Sequence, residues 1–199
     1  MWQRIGYVAA QMKTYATYGL AGALLGALQT LVLFFLGFHG ERAHLLNDWK
    51  VSVPLGVFGF GLGVAVIVLG LRAWREASPN KAMSYGRGVG GGTLIGLWQG
   101  LGSAAFLLLY GLAINPGFKE AMVANQMAQL RAKGGIPAEG YAMAENMLNI
   151  TLSPVVQAVG ALVGSVVLGT IVALVAAAVL RREATEGFAS EPPAAGGRD

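Results

Sequence analysis

The sequence predicts an all-α, polytopic membrane protein, with four transmembrane helices and a short helical outer segment between helices 3 and 4. Composition is the first observation behind this. Of 199 residues, 55% are hydrophobic and only 12% charged, with mean hydropathy +0.57, against roughly 45–50% apolar and about 25% charged in a soluble domain. Such a chain has too little polar surface to cover a water-soluble fold. The second observation is where the charges fall. They leave four uncharged runs, residues 14–40, 51–71, 88–118 and 146–180, each longer than the roughly 18 apolar residues that signal a spanning helix. The third is that these runs are continuously apolar, whereas the strands of a membrane barrel alternate over about 10 residues.

Taken in order, residues 1–14 place Trp2, Ile5, Ala9 and Met12 at helical spacing beside Arg4, Gln11 and Lys13. That pattern suits either a short helix in the membrane interface or a plain extension of the first span. The first span, residues 15–38, is about twice the roughly 7–15 residues of a secretory signal's apolar core and ends in Phe34-Phe35-Leu36-Gly37-Phe38, so it reads as uncleaved. Spans follow at 51–71, 88–113 and 152–180, the last two long enough to require tilt, a kink or projection from the bilayer. The outer segment, 115–151, is divided by Gly134-Gly135 and Pro137. Phe118, Met122, Gln126 and Leu130 recur at helical spacing before the break, and Tyr141, Glu145 and Leu148 after it, which predicts two short amphipathic helices. Pro116 and Pro154 suit the first turns of the helices that follow them. The tail, 183–199, carries Pro192-Pro193 and Gly196-Gly197 with few large apolar residues and reads as disordered.

Lys and Arg placement sets the expected orientation. Four spans put both termini on one side, and that side with the 74–87 connection holds nine of the cations, against five on the other. The positive-inside rule then places the termini in the cytoplasm, at the bacterial inner membrane. Trp49 and Trp74 flank the second span, as aromatic belts do. The net charge of +4 needs no nucleic acid, since these cations stand at helix ends as topology requires. Anionic headgroup contact is the one further use they suggest. Without cysteine there is no disulfide, thiolate ligand or thiol catalysis.

Glycine is the informative residue within the spans. Gly22-x-x-x-Gly26, Gly59-x-x-x-Gly63, Gly92-x-x-x-Gly96-x-x-x-Gly100 and Gly160-x-x-x-Gly164 put small residues on one face of every helix, where backbones can approach closely. They predict a tight bundle, with a homo-oligomer or a larger membrane complex as the alternative use. The run Gly86-Arg87-Gly88-Val89-Gly90-Gly91-Gly92 has fragments of a phosphate loop but no preceding strand and no Lys-Ser/Thr, so it reads as the start of a membrane helix.

No Asp, Glu, Lys, Arg or His lies within the spans, which argues against proton-coupled transport and against catalysis by buried acids and bases. The expectation is no enzyme, no catalytic residue and no cofactor. Gln29 and Gln99 fall near the middle of their helices and predict a hydrogen bond between the first and third spans. His39 and His44, in His39-Gly40-Glu41-Arg42-Ala43-His44, lack the spacing of a helical zinc site and read as a solvated loop. Met122, Met127, Met143 and Met147 could ligate Cu(I), but methionines filling gaps between loop helices and bundle are the simpler reading.

Tyr18-Gly19-Leu20-Ala21-Gly22 opening the first helix, Met83-Ser84-Tyr85-Gly86-Arg87-Gly88 opening the third, the Gly-Gly-Ile-Pro break in the outer segment and the basic exit Leu180-Arg181-Arg182 together resemble the bacterial membrane proteins that carry the domain of unknown function 4199. The resemblance covers approximately Lys13 to Arg182. It implies a four-helix membrane fold and no assigned activity or functional residue. Two function classes follow from the residues: a non-catalytic bundle acting as accessory subunit or envelope scaffold, and a channel or carrier for an uncharged or apolar solute. In both the lipid bilayer is the constant partner.

Overall fold

A computed structural model describes residues 2–78, 81–135 and 137–181, with side chains from Gln11 onward. The tail expected to be disordered and the apolar side chains before Gln11 lie outside the described parts. Six α-helices follow in order: α1 (Trp2–Phe35), α2 (Trp49–Ala77), α3 (Tyr85–Leu109), α4 (Phe118–Lys133), α5 (Ala138–Thr151) and α6 (Pro154–Leu180). Four stretches are long and apolar enough to cross a membrane, Gln11–Phe35, Trp49–Ala77, Tyr85–Ile114 and Pro154–Leu180. At about 1.5 Å per residue each exceeds the ~30 Å of a hydrocarbon core. The all-α, four-span architecture is therefore the one the charge gaps predicted.

Local chemistry sets the ends of these helices. Asp48 caps α2, its carboxylate accepting from the Lys50 N–H at 2.9 Å, and Ser153 caps α6 while Pro154 fills a first-turn position that needs no N–H. The break between α4 and α5 uses Gly134 and Gly135 at φ of +65° and +82°, a region that favours glycine. Pro116 differs from expectation, standing before the Gly117 cap rather than inside α4. The N-terminal stretch continues α1 without a break. At its far end α3 does not stop but widens into a π-helical turn, Tyr110–Ile114.

The spans form a ring in the order α1, α3, α6, α2, with α3 packed most extensively on α6 and then on α1. The apolar core lies toward the end where α2 and α6 finish and α3 begins, the near end, where Tyr15, Ile67, Leu71, Trp74, Met83, Ile95 and Ala173 are buried together. Toward the far end α3 and α6 stay packed, an added Cβ at Gly111 lying 2.8 Å from Pro154 Cγ, while the outer faces of α2 and α6 are bare. Val53, Val57, Phe58 and Phe60 of α2 and Val155, Val159 and Val163 of α6 are exposed there, as lipid-facing residues are in a bilayer.

Candidate functional site

Small residues carry the α3–α6 contact. A Cβ built at Gly92 would lie 2.3 Å from Ala173 Cβ, one at Gly96 2.4 Å from the Ser165 carbonyl oxygen, and one at Gly100 2.9 Å from Leu162 Cα. Backbone therefore meets backbone along more than two turns of α3. Gly22, Gly59 and Gly63 face side chains instead: Gly22 and Gly63 flank the Gln99 amide, and Gly59 faces Gln29. The remaining glycines correct the sequence reading. Gly26 on α1 and Gly160 and Gly164 on α6 have nothing within 4 Å of an added Cβ; α6 turns Ser165, Gly169, Ala173 and Ala177 toward α3 and leaves Gly160 and Gly164 on its outer surface. Reading glycine alone missed that stripe. Its four-residue spacing of small residues, rather than of glycines, was the available signal.

The expected bond between Gln29 and Gln99 is absent among the described residues. Gly22 is the α1 residue level with Gln99, and Gln29 lies seven residues, about 10 Å, farther along the helix. Gln29 Nε2 donates instead to the Leu55 carbonyl of α2 at 3.3 Å. Gln99 Oε1 is enclosed and has no hydrogen-bond partner. The polar link to α3 comes from elsewhere, with Thr93 and Thr170 hydroxyls 3.0 Å apart across the α3–α6 seam. Each also donates or shares a bond with its own helix, to Val89 and Val166 carbonyls.

Chemistry-bearing side chains converge at the far end. His39 Nδ1 and the Tyr110 hydroxyl lie 2.5 Å apart, and Asn115 Nδ2 donates to that hydroxyl at 3.0 Å. With the imidazole proton on Nε2, Tyr110 donates to His39 and accepts from Asn115, so all three groups are used. Phe34, Phe106 and Phe118 surround the pair with ring centroids within 6.0 Å of Tyr110. Tyr110 is only 2% exposed. Burial holds the His39 imidazole below its ordinary value of 6.5. This corrects the solvated-loop reading for His39, though His44 does stay exposed, bonded to the Glu41 carbonyl. Buried Tyr110 is the first residue of the π turn that ends α3, and such turns recur at functional sites. No periodicity in the sequence announced it.

Two openings flank this cluster. One, of about 260 Å³, lies between the π turn, the start of α4 and the start of α6, and includes Tyr110, Lys119 and Gln157 in its lining. The other, of about 540 Å³, is a cleft beside Phe34, His39, Arg42 and Asn115. Among the described residues no group of three His, Asp or Glu side chains is placed to hold a metal. The four outer methionines differ in burial. Met127 is buried and fills a gap as expected, but Met143 and Met147 are 69% and 60% exposed, which corrects the gap-filling reading for those two.

The family described as "Protein of unknown function (DUF4199)" matches residues 17–182. The chain belongs to the DUF4199 family. The DUF4199 match takes in the α3–α6 seam, both glutamines and the His39–Tyr110–Asn115 cluster, and it agrees with the resemblance drawn from the helix openings and the basic exit. No curated protein and no solved structure matches the chain.

Proposed function

We propose that this DUF4199 protein is a non-catalytic, multi-pass bundle of the bacterial inner membrane, both termini cytoplasmic, serving as an accessory subunit or envelope scaffold. One observation carries the reading: Gln29 and the Thr93–Thr170 pair, polar at membrane depth, bond to neighbouring helices, and Gln99 Oε1 is enclosed between α1, α2 and α3. Gln29 ties α1 to α2, and Thr93 with Thr170 ties α3 to α6. The unpartnered surface supports a partner. Gly160 and Gly164 lie open beside exposed Val159 and Val163 on α6, a small-residue face of the kind that joins membrane helices. The nine-to-five cation bias supports the orientation.

Gentle detergent extraction at native expression, with identification of stoichiometric co-purifying proteins, tests the accessory role. The expected result is a defined partner, lost on Gly164→Leu. A lone monomer in every mild detergent would remove it. The carrier reading has one observation of its own, a groove of about 420 Å³ between α1 and α2 that Gln29 lines with Leu28, Val32, Leu55 and Phe58. Flux of an apolar solute into vesicles, lost on Gln29→Leu, would favour it.

A further inference from the structure

We propose that the groove between α2 and α6 at the near end is a site for one anionic phospholipid, with its headgroup held by Arg72. The groove has a volume of about 580 Å³, walled by Val64 and Val68 of α2 and by Ile171, Val175 and Val179 of α6, and Arg72 is the charged residue in its lining. Val64, Val68 and Arg72 follow at intervals of four and so share one face of α2. From Val64 to Arg72 the helix rises about 12 Å, close to the depth of a single leaflet in a core of ~30 Å. An apolar trough of that length fits an acyl chain laid along the helices, and the guanidinium stands where the headgroup of that chain must sit.

Charge decides which lipid. Arg72 is exposed, and among the described residues no ion pair neutralises it, Glu76 one turn along included. Arg75, three residues beyond Arg72 on α2, has an enclosed Nε without a hydrogen-bond partner. Guanidinium matches a phosphate oxygen pair bidentately. In a zwitterionic headgroup the lipid's own ammonium offsets that attraction, whereas a net-negative headgroup keeps it. Any lipid can fill the apolar walls, so selectivity for net negative charge is the property that distinguishes a site from ordinary solvation by the bilayer.

The test uses the full chain with Val179→Cys carrying an environment-sensitive fluorophore, in vesicles of phosphatidylcholine to which brominated phosphatidylglycerol or brominated phosphatidylcholine is added. One basic residue near a membrane surface corresponds to about a five-fold preference for the anionic lipid. Quenching at Val179→Cys should show that preference, Arg72→Lys should keep it and Arg72→Gln should remove it. Unchanged quenching of the Arg72→Gln protein by brominated phosphatidylcholine reports that the groove is intact. A label at Leu20→Cys on α1 should show no preference. Equal quenching by both lipids at Val179→Cys, a preference that survives Arg72→Gln, or the same preference at Leu20→Cys would each overturn the site.

Discussion

At the scale of single residues, the α3–α6 seam and the His39 cluster make the sharpest commitments. A methyl at Gly92 must displace Ala173, and the overpacking should cost about 1–3 kcal/mol in the Gly92→Ala protein. The same change at Gly160 meets nothing and should stay within about 0.5 kcal/mol. Unfolding in mixed detergent micelles compares the two, and equal effects would mean that the seam is misplaced. His39 adds a dependence on pH. Its folded-state value lies below 6.5 because burial disfavours the imidazolium. As pH falls through 6.5 the unfolded chain takes up a proton that the folded chain refuses, so stability is full above 6.5 and declines below it until His39 itself protonates. A detergent-unfolding titration from pH 7.5 downward, run beside His39→Gln, isolates this contribution. Loss of the difference between the two proteins would show that His39 sits in water.

The helix is the scale at which the sequence was most readable. Charge-free runs located all four spans because Lys, Arg, Asp and Glu resist the hydrocarbon, and Gly134-Gly135 marked the break between α4 and α5 because only glycine adopts those angles cheaply. Contacts between helices were less readable. Gln29 and Gln99 each stood near a helix centre, but the stagger of α1 against α3 depends on how Gly19 and Gly102 fit Trp98 and Ala23, which no single helix reveals. The π turn at Tyr110–Ile114 was likewise silent, since the apolar run of α3 continues through it unbroken. Tyr110→Phe removes the hydroxyl shared by His39 and Asn115, at about 1 kcal/mol for each bond. Amide exchange should quicken in residues 37–48 and around Asn115 while the α3–α6 seam keeps its protection. Uniform quickening along α3 would instead make the cluster part of the core.

At the scale of the whole molecule, the four spans form a ring whose buried apolar core lies toward the near end, with Gln29 and the Thr93–Thr170 pair as polar ties between helices. That arrangement leaves the exposed faces of α2 and α6 for a partner or lipid to cover. A carrier of the same size would need the glutamines wet. The absence of native cysteine makes the distinction measurable. Single-cysteine proteins Gln29→Cys and Gln99→Cys, in native membranes, are treated with a small charged thiol reagent, with Met143→Cys as the exposed reference. A dry, non-conducting bundle gives complete modification at position 143 and none at 29 or 99. Modification of position 99 from water at a rate comparable to 143 would contradict it, and would place an aqueous path through the centre of the bundle.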